Sequence, residues 1–443
     1  MDGNNRPPYH LRAAVLVLTG ALAVGISLSY RAAQSPPTPV QQPAVADAAL
    51  ENAQKLIAQG RAVFRYDRLG SHTFFSRTIK LHRALATVSP RTALAVGVKV
   101  DSEALPPEVI DAILSGAVDL DDPAVTLALF RLDAVVGVSG QFTEDGTLFE
   151  AGITCALCHS TVDDSIAPGI GKRLDGWANR DLNVGAILSL APRLEPLADL
   201  LGVDVDTVRA VLASWGPGKF DAHLNLDGRA FRPDGGSGAV LIPPAFGLAG
   251  VNLGTYTGWG STTYWNAFVG NLEMNGKGEF FDPRLEDAER FPIAASNGFG
   301  EIRDRPDVIT NKLAALHLYQ LSLPAPPPPP GSYDEAAAER GKALFSGKAA
   351  CADCHVPPLF TEPGWNLHTP EEIGIDDFQA SRSPEGRYRT TPLKGLWTHG
   401  KGGYYHDGRF ATLLDVLNHY DGHFELTLSE AEKADLVEYL KSL

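Results

Sequence analysis

The sequence predicts a mainly α protein with two related units in tandem and long loops in the first of them. Three observations support this fold class. Helical apolar periodicity recurs along the chain while convincing alternating strands are scarce, the motif Cys-x-x-Cys-His occurs twice, and the stretch PAPPPPPG at 324–331 separates the two copies. Because a polyproline segment cannot continue a helix, it predicts a linker over residues 324–332.

The repeated motif takes up every cysteine of the chain. The two sets are Cys155, Cys158 and His159, and Cys351, Cys354 and His355. This spacing is the attachment pattern of c-type haem, in which the cysteines form two thioether bonds and the histidine is the proximal iron ligand. With 4 cysteines and 12 histidines in 443 residues, chance gives about 0.001 such motifs. We therefore predict two covalently bound c-type haems.

Two other chemistries explain the cysteine pairs less well. A zinc site made from all four cysteines has suitable spacing, but it gives no reason for a histidine directly after each pair. A redox-active Cys-x-x-Cys pair needs a thioredoxin-like strand and helix around it, which neither motif has.

Helical patterns place one motif in each unit. The N-terminal unit, residues 45–323, has predicted helices at 45–64, 106–116, 205–215 and 307–323, and the C-terminal unit, residues 333–443, has helices at 334–345 and 429–443. Ser429 and Glu432 form a capping box before the last helix. A haem motif between an N-terminal and a packed C-terminal helix is the layout of cytochrome c. The prediction is therefore two tandem class I cytochrome c-like haem domains, with large insertions in the N-terminal one.

The N-terminal residues predict the cellular location of the protein. An apolar run over residues 13–30 follows Arg6, His10 and Arg12 and precedes Arg31. Residues 1–31 are therefore either a cleaved signal peptide or a retained inner-membrane anchor, and residues 32–44 form a linker. Both alternatives export the rest of the chain, and covalent haem attachment in bacteria takes place outside the inner membrane, so we expect a periplasmic or exported protein.

The overall charge of the chain argues against nucleic acid as a partner. The chain carries a formal net charge of −15, and haem propionates add further negative charge. We therefore expect no sustained binding to nucleic acid.

The scarcity of methionine restricts the sixth iron ligands. The chain has two methionines, and Met1 belongs to the export signal, so Met274 is the one methionine candidate, with filling of a core gap as its alternative role. Four histidines crowd the C-terminal unit: His399, His406, His419 and His423. This distribution predicts a six-coordinate C-terminal haem and an open N-terminal haem, which could bind an oxidant.

The stretch RTTPLKGLWTHGKGGYYHDGRFATLLDVLNHYD, residues 389–421, resembles the bacterial dihaem cytochrome c peroxidase and MauG superfamily. In that family a helix after the Tyr-x-His-Asp-Gly segment supplies the distal ligand of the second haem. Counted from His406, the resemblance implies Tyr420, with His419 beside it. Histidine is the stronger neutral iron ligand and favours His419 slightly, while a surface His-Tyr pair is the alternative.

The same resemblance implies further site residues. The peroxidases use a distal glutamate as acid and base at the open haem, for which Glu273 and Glu279 are the candidates, although exposed glutamates are usually only solvated. They also hold a calcium ion between domains, with Asn183 as the corresponding ligand. Arg173 and Arg180 could pair with haem propionates, or could have ordinary surface roles.

The middle of the chain is similar to the rubber-oxygenase branch of this superfamily. Within residues 254–285, Tyr264 and Trp265 form an aromatic–tryptophan pair, followed by Phe280. The likeness implies that Trp265 bridges the two irons and that Phe280 lines the oxygen-binding pocket, whereas a buried structural tryptophan is the alternative. The chain is shorter than those oxygenases, so polyisoprene cleavage is not carried over.

These observations predict an exported redox enzyme similar to cytochrome c peroxidase. Its N-terminal haem would bind peroxide or dioxygen, and its C-terminal haem would transfer electrons from a periplasmic donor such as a small cytochrome or a cupredoxin. A dihaem electron-transfer protein without its own substrate is the alternative, and a dihaem oxygenase is a minor one. Tandem units and large insertions favour the enzyme. Homodimer formation is left open.

Overall fold

The computed structural model describes residues 44–443, of which Ala49–Leu443 form one compact unit. The predicted signal or anchor at 13–30 and nearly all of the linker at 32–44 lie outside the described residues. Within the described part of the chain, no helix is both long and apolar enough to cross a membrane.

Helices dominate the structure before the proline-rich segment. They are α1 (Ala44–Tyr66), α2 (Leu81–Leu85), α3 (Pro90–Ala95), α4 (Pro107–Leu114), α5 (Pro123–Arg131), α6 (Ala156–His159), α7 (Val184–Ser189), α8 (Glu195–Leu201), α9 (Val205–Trp215), α10 (Leu224–Asp227), α11 (Thr262–Phe268), α12 (Pro292–Asn297) and α13 (Leu313–Ser322). Thr73–Thr78 and Val269–Glu273 form π-helical turns, and Ser102–Ala104, Pro283–Glu286 and Thr310–Lys312 form 3₁₀ turns.

After the proline-rich segment the chain forms four more α-helices. They are α14 (Glu335–Ser346), α15 (Phe378–Ser381), α16 (Leu413–His423) and α17 (Glu430–Lys441), with 3₁₀ turns at Cys351–Asp353 and Leu396–His399. The predicted helices are found with ends shifted by at most two residues, except that the helix predicted at 307–323 begins only at Leu313, after a 3₁₀ turn at Thr310–Lys312. The Ser429–Glu432 capping box before α17 is confirmed in both directions.

The strands are short and pair two by two. They are β1 (Val100–Asp101), β2 (Val138–Phe142), β3 (Leu148–Ile153), β4 (Ser160–Val162), β5 (Ile170–Gly171), β6 (Arg173–Asp175), β7 (Lys219–Phe220), β8 (Val240–Leu241), β9 (Glu279–Phe281) and β10 (Glu301–Arg303). β1 pairs with β5 in parallel, while β2 with β3, β4 with β6, β7 with β8 and β9 with β10 are antiparallel. The prediction of a mainly α fold is confirmed.

The first and last helices on each side of the proline-rich segment pack through a glycine. A Cβ atom on Gly60 of α1 would lie 2.0 Å from the Ala315 carbonyl oxygen of α13, and one on Gly341 of α14 would lie 2.1 Å from the Asp435 carbonyl oxygen of α17. Four residues after each glycine, a phenylalanine meets a tyrosine edge to face. These aromatic pairs are Phe64 with Tyr319 and Phe345 with Tyr439. The two helix pairs therefore share one packing scheme, which requires glycine at the contact.

The region after the proline-rich segment packs closely against the region before it. Arg382, near the end of α15, makes ion pairs with Asp221 and Asp227, and all three side chains are excluded from solvent. Trp177 and Trp397 meet edge to face with ring centroids 5.2 Å apart. The domain boundary over 324–332 stays a prediction.

Candidate active site

The first Cys-x-x-Cys-His motif opens into a large cavity. The short helix α6 carries it between β3 and β4, and Cys155, Cys158 and His159 all line a cavity of about 760 Å³. Burial raises the pKa of both thiols to about 12 and lowers the pKa of His159 to about 4. The site therefore holds two neutral thiols and a neutral imidazole.

Both motif histidines are oriented by a backbone carbonyl. Nδ1 of His159 lies 3.1 Å from the carbonyl oxygen of Pro243, and Nδ1 of His355 lies 3.1 Å from that of Phe360. A carbonyl oxygen only accepts hydrogen bonds, so Nδ1 carries the proton and the Nε2 lone pair is free for a metal. This is the usual arrangement of an iron-binding histidine.

The residues present fit a c-type haem. Apolar side chains form most of the cavity wall, including Phe75, Ile187 and Leu241. Arg180 is buried, and its Nε and Nη1 have no hydrogen-bond partner within residues 44–443. Unpartnered guanidinium nitrogens suit a propionate, and Arg180 lies beside Tyr256, which lines the cavity, without lining it itself. Arg173 also has guanidinium nitrogens without a well-aligned hydrogen bond among the described residues, but its charge is paired with Asp101, whose carboxylate lies 2.9 Å from Nε.

The two candidate glutamates lie in different environments. Glu273 ends the π-helical turn after α11 and lines the cavity, and its Oε1 has no hydrogen-bond partner in the described chain. Burial, and then the negative charge of Asp221, raise its pKa well above the ordinary value, which favours the protonated form. Glu279 lies near the surface, with Oε1 2.5 Å from Nη2 of Arg305. The structure thus brings Glu273, and not Glu279, to the wall of the cavity.

Trp265 also lines the cavity, as part of a large aromatic cluster. Its ring centroid lies 4.8 Å from that of Phe268 and 5.9 Å from that of Tyr264, and its Nε1 has no acceptor among the residues that the structure describes. Phe280 joins the cluster from β9, 5.5 Å from the ring of Tyr264. Nε1 of Trp259, by comparison, donates to Asp282.

Two other candidates make structural contacts. Met274 is buried against Leu69 and Ile309, and it also reaches the cavity wall. Asn183 is the N-cap of α7, where its Oδ1 accepts a hydrogen bond of 2.9 Å from the Ala186 N–H. Their assignments as an iron ligand and a calcium ligand stay predictions.

Near the second motif, the two distal candidates on α16 point to different neighbours. Nε2 of His419 lies 3.1 Å from the carbonyl oxygen of Ile373 and therefore donates its proton there. Tyr420 lies beside Tyr405, with ring centroids 6.1 Å apart. Burial raises the pKa of its phenol, the hydroxyl group of Tyr405 lowers it, and the nearby Cys354 and Cys351 of the motif raise it further.

Sequence reasoning missed a polar group of the cavity. His223, which precedes α10, is buried and lines the cavity beside Asp221 and Asn225. Gln379, from α15, reaches across and places its Nε2 3.0 Å from Nδ1 of His223. A single histidine far from both motifs gave no signal in the sequence, because its place in the cavity depends on tertiary contacts.

Comparisons with known proteins agree with the motifs. The chain is 29% identical over 236 residues to the methylamine utilization protein MauG of Methylorubrum extorquens, covering 45% of this chain and 63% of the relative. It is 27% identical over 232 residues to the cytochrome-c peroxidase IdrP1 of Denitromonas iodatirespirans, covering 40% of this chain and 60% of that protein. The chain thus spans about three fifths of the length of these curated relatives.

No family model matches the chain. Among solved structures, a MauG-like protein associated with microbial copper homeostasis is 21% identical, with a TM-score of 0.29, covering 48% of this chain and 76% of that one. The structural likeness is too low to support an argument. The two curated relatives confirm the resemblance of this chain to the dihaem cytochrome c peroxidase and MauG superfamily.

Proposed function

We propose that the chain is an exported dihaem c-type cytochrome that acts as a peroxidase-like oxidoreductase. One observation carries this proposal. The cavity that holds Cys155, Cys158 and His159 is also lined by Glu273, a buried carboxyl group whose Oε1 has no hydrogen-bond partner in the described chain and whose pKa is raised by burial. An electron carrier has no need for such a carboxyl group in a cavity beside its haem motif, whereas chemistry on a peroxide needs a group that can move a proton.

The haem, when bound, supplies the redox chemistry, and the chain positions the reactants. Cys155 and Cys158 would hold it by thioether bonds, and His159, oriented by the Pro243 carbonyl, would bind the iron. Glu273 would hold a proton at its carboxyl group and exchange it with the oxidant in the cavity. Asn225 lies beside Glu273 and can orient that carboxyl group.

The shared helix packing supports two tandem cytochrome c-like haem domains. Gly60 and Gly341 make equivalent close contacts with the last helix of their own region, and the same Phe–Tyr pair follows each glycine. Each haem motif lies between such a pair of helices in the chain. A duplicated unit explains this repetition in the simplest way.

At the second haem, the contacts favour Tyr420 as the distal ligand. His419 donates its Nε2 proton to the Ile373 carbonyl, so this nitrogen has no free lone pair for iron. Tyr420 lies near Cys351 and Cys354. A tyrosine ligand would suit a C-terminal haem that stores electrons and does not bind the oxidant.

The similarity to a cytochrome-c peroxidase also supports a proposal about the molecules with which this chain reacts. A peroxidase requires an oxidant and an electron donor, for which we propose peroxide or dioxygen and a small periplasmic cytochrome or cupredoxin. Periplasmic location, calcium binding at Asn183 and homodimer formation are further expectations.

Electron paramagnetic resonance of the oxidised holoprotein, with and without hydrogen peroxide, tests the proposed function. We expect one high-spin ferric haem whose signal changes with peroxide. A matched sample of Cys155→Ala/Cys158→Ala should lack that signal, which assigns it to the N-terminal motif. Two low-spin haems that do not respond to peroxide, in both oxidised and half-reduced protein, would identify an electron-transfer protein instead.

A further inference from the structure

His223 has an unexplained polar atom in the wall of the cavity. The side chain is 3% exposed, and its Nε2 has no hydrogen-bond partner anywhere in residues 44–443. Leaving a buried polar atom without a partner costs free energy, so such an atom in a native protein calls for an explanation. The cavity that His223 lines is the one that contains the first haem motif.

Gln379 determines which nitrogen of His223 carries the proton. The Gln379 amide nitrogen lies 3.0 Å from Nδ1 of His223 and donates to it, so Nδ1 is the acceptor. A neutral imidazole has one proton, which is then on Nε2. Burial, and then the positive charge of Arg382, lower the pKa of His223 well below its ordinary value and keep the ring neutral. The atom without a partner is therefore an N–H donor.

The surrounding structure holds the His223 ring in place. The backbone N–H of His223 donates to Asp221 Oδ1 at 3.1 Å, and the Asp221 carboxylate in turn pairs with Arg382. The ring lies 5.6 Å from that of Trp259 and 6.3 Å from that of Trp265, measured between centroids. Asp221 and Arg382 are the charged groups beside it, and Glu273 lines the same cavity.

We propose that His223 donates a hydrogen bond from Nε2–H to a small anionic or peroxidic ligand held in this cavity, and that Gln379 fixes the tautomer that makes this possible. The inference rests on the proposed function, since it requires a ligand in the N-terminal cavity. His223 and Glu273 then have different tasks: the histidine orients and stabilises the ligand as a fixed donor, while the carboxyl group exchanges a proton with it.

Fluoride binding to the ferric holoprotein, followed by absorption spectroscopy, tests the proposal without turnover. Fluoride is a small anion that accepts hydrogen bonds, so its dissociation constant reports on donors in the cavity. We expect His223→Phe, which keeps a planar ring but has no donor, to weaken fluoride binding about tenfold or more. His223→Gln, which restores an N–H, should recover most of the affinity. His317→Phe, at a histidine outside the cavity wall, is the matched control and should leave the constant unchanged.

A second variant tests the role of Gln379. Gln379→Met removes the amide donor without adding a charge, so Nδ1 of His223 loses its hydrogen-bond partner and the proton is no longer fixed on Nε2. We expect it to weaken fluoride binding, though less than His223→Phe does, and it tests the proposal if His223→Phe fails to load haem.

The outcomes distinguish failure of the His223 proposal from failure of the proposed function. If the wild-type protein binds fluoride, and both His223→Phe and Gln379→Met bind it equally well, the role of His223 is refuted while the proposed function stands. If the wild-type protein binds no fluoride at the N-terminal haem, the open cavity of the proposed function is itself refuted.

Discussion

Arg382 Nε donates a 2.7 Å hydrogen bond to Asp227 Oδ2, and neither side chain is exposed to solvent, although 155 positions separate them in the chain. The same guanidinium contacts Asp221, whose neighbours line the cavity of the first haem motif. A cation from one side of the proline-rich segment thus forms ion pairs with two buried carboxylates on the other, and one of them, Asp221, lines the cavity.

Arg382→Met should strongly destabilise the holoprotein. Removing the cation leaves two buried carboxylates without a partner, and breaking a buried ion pair in this way costs about 3–5 kcal/mol. Urea unfolding measures the loss. The control is Arg340→Met, because Arg340 pairs with Asp435 at the surface, where such pairs contribute about 0–1 kcal/mol. A loss in Arg382→Met no larger than in this control would contradict the prediction.

Glu273→Gln should slow the reaction with hydrogen peroxide by about 10²- to 10⁴-fold, because the amide keeps the shape of the protonated acid but cannot transfer its proton. Stopped-flow absorption of the haem bands measures the rate. Glu279→Gln is the matched control at the surface, where Glu279 pairs with Arg305, and it should react like the wild type. Equal rates in both variants would remove Glu273 from the chemistry.

Tyr420→Phe should convert the C-terminal haem from a six-coordinate to a five-coordinate state, because it removes the phenol oxygen near Cys351 and Cys354. Electron paramagnetic resonance detects the change as a new high-spin signal. His419→Phe should leave the spectrum unaltered. The opposite result, with the new signal in His419→Phe, would transfer the ligand assignment to His419.

Trp265→Phe should leave both haem spectra intact and slow turnover with a reduced electron donor. Its Nε1 has no partner in the described part of the protein, so the substitution removes no hydrogen bond, while phenylalanine is much harder to oxidise than tryptophan. Steady-state peroxidase kinetics test this prediction. Unchanged turnover would show that electrons pass between the haems by another route.

Protonation of Asp407 should contribute to the loss of folding stability at acidic pH. Burial opposes its ionisation, but hydrogen bonds from Arg409 and the nearby charges of His406 and Arg409 outweigh it, and its pKa is lowered from 3.8 to about 2. A lowered pKa stabilises the fold above pH 3.8, and this contribution is lost as the pH falls toward 2. Asp407→Asn should therefore lower the urea midpoint more at pH 7 than at pH 3. An equal decrease at both pH values would contradict this assignment.

The sequence predicted the parts of the structure that depend on neighbours in the chain. The Ser429–Glu432 cap and helices such as α9 follow from local periodicity and capping. The roles of Glu273 and Glu279 could not be distinguished from the sequence. The two glutamates are only six positions apart, and what distinguishes them is their burial in the folded protein. His223 was missed for the same reason, since its partner Gln379 lies 156 positions away. The two-residue strands were missed because a strand of two residues is too short to show an alternating pattern in the sequence.

The side chains that complete the cavity from beyond the second motif come late in the chain. Gln379 and Arg389 line it, and Arg382 pairs with Asp221, which also lines it. A chain truncated after the proline-rich segment would keep all residues of the first haem motif without a finished pocket. The cavity of the first motif is therefore complete only when the residues after the proline-rich segment have folded against it.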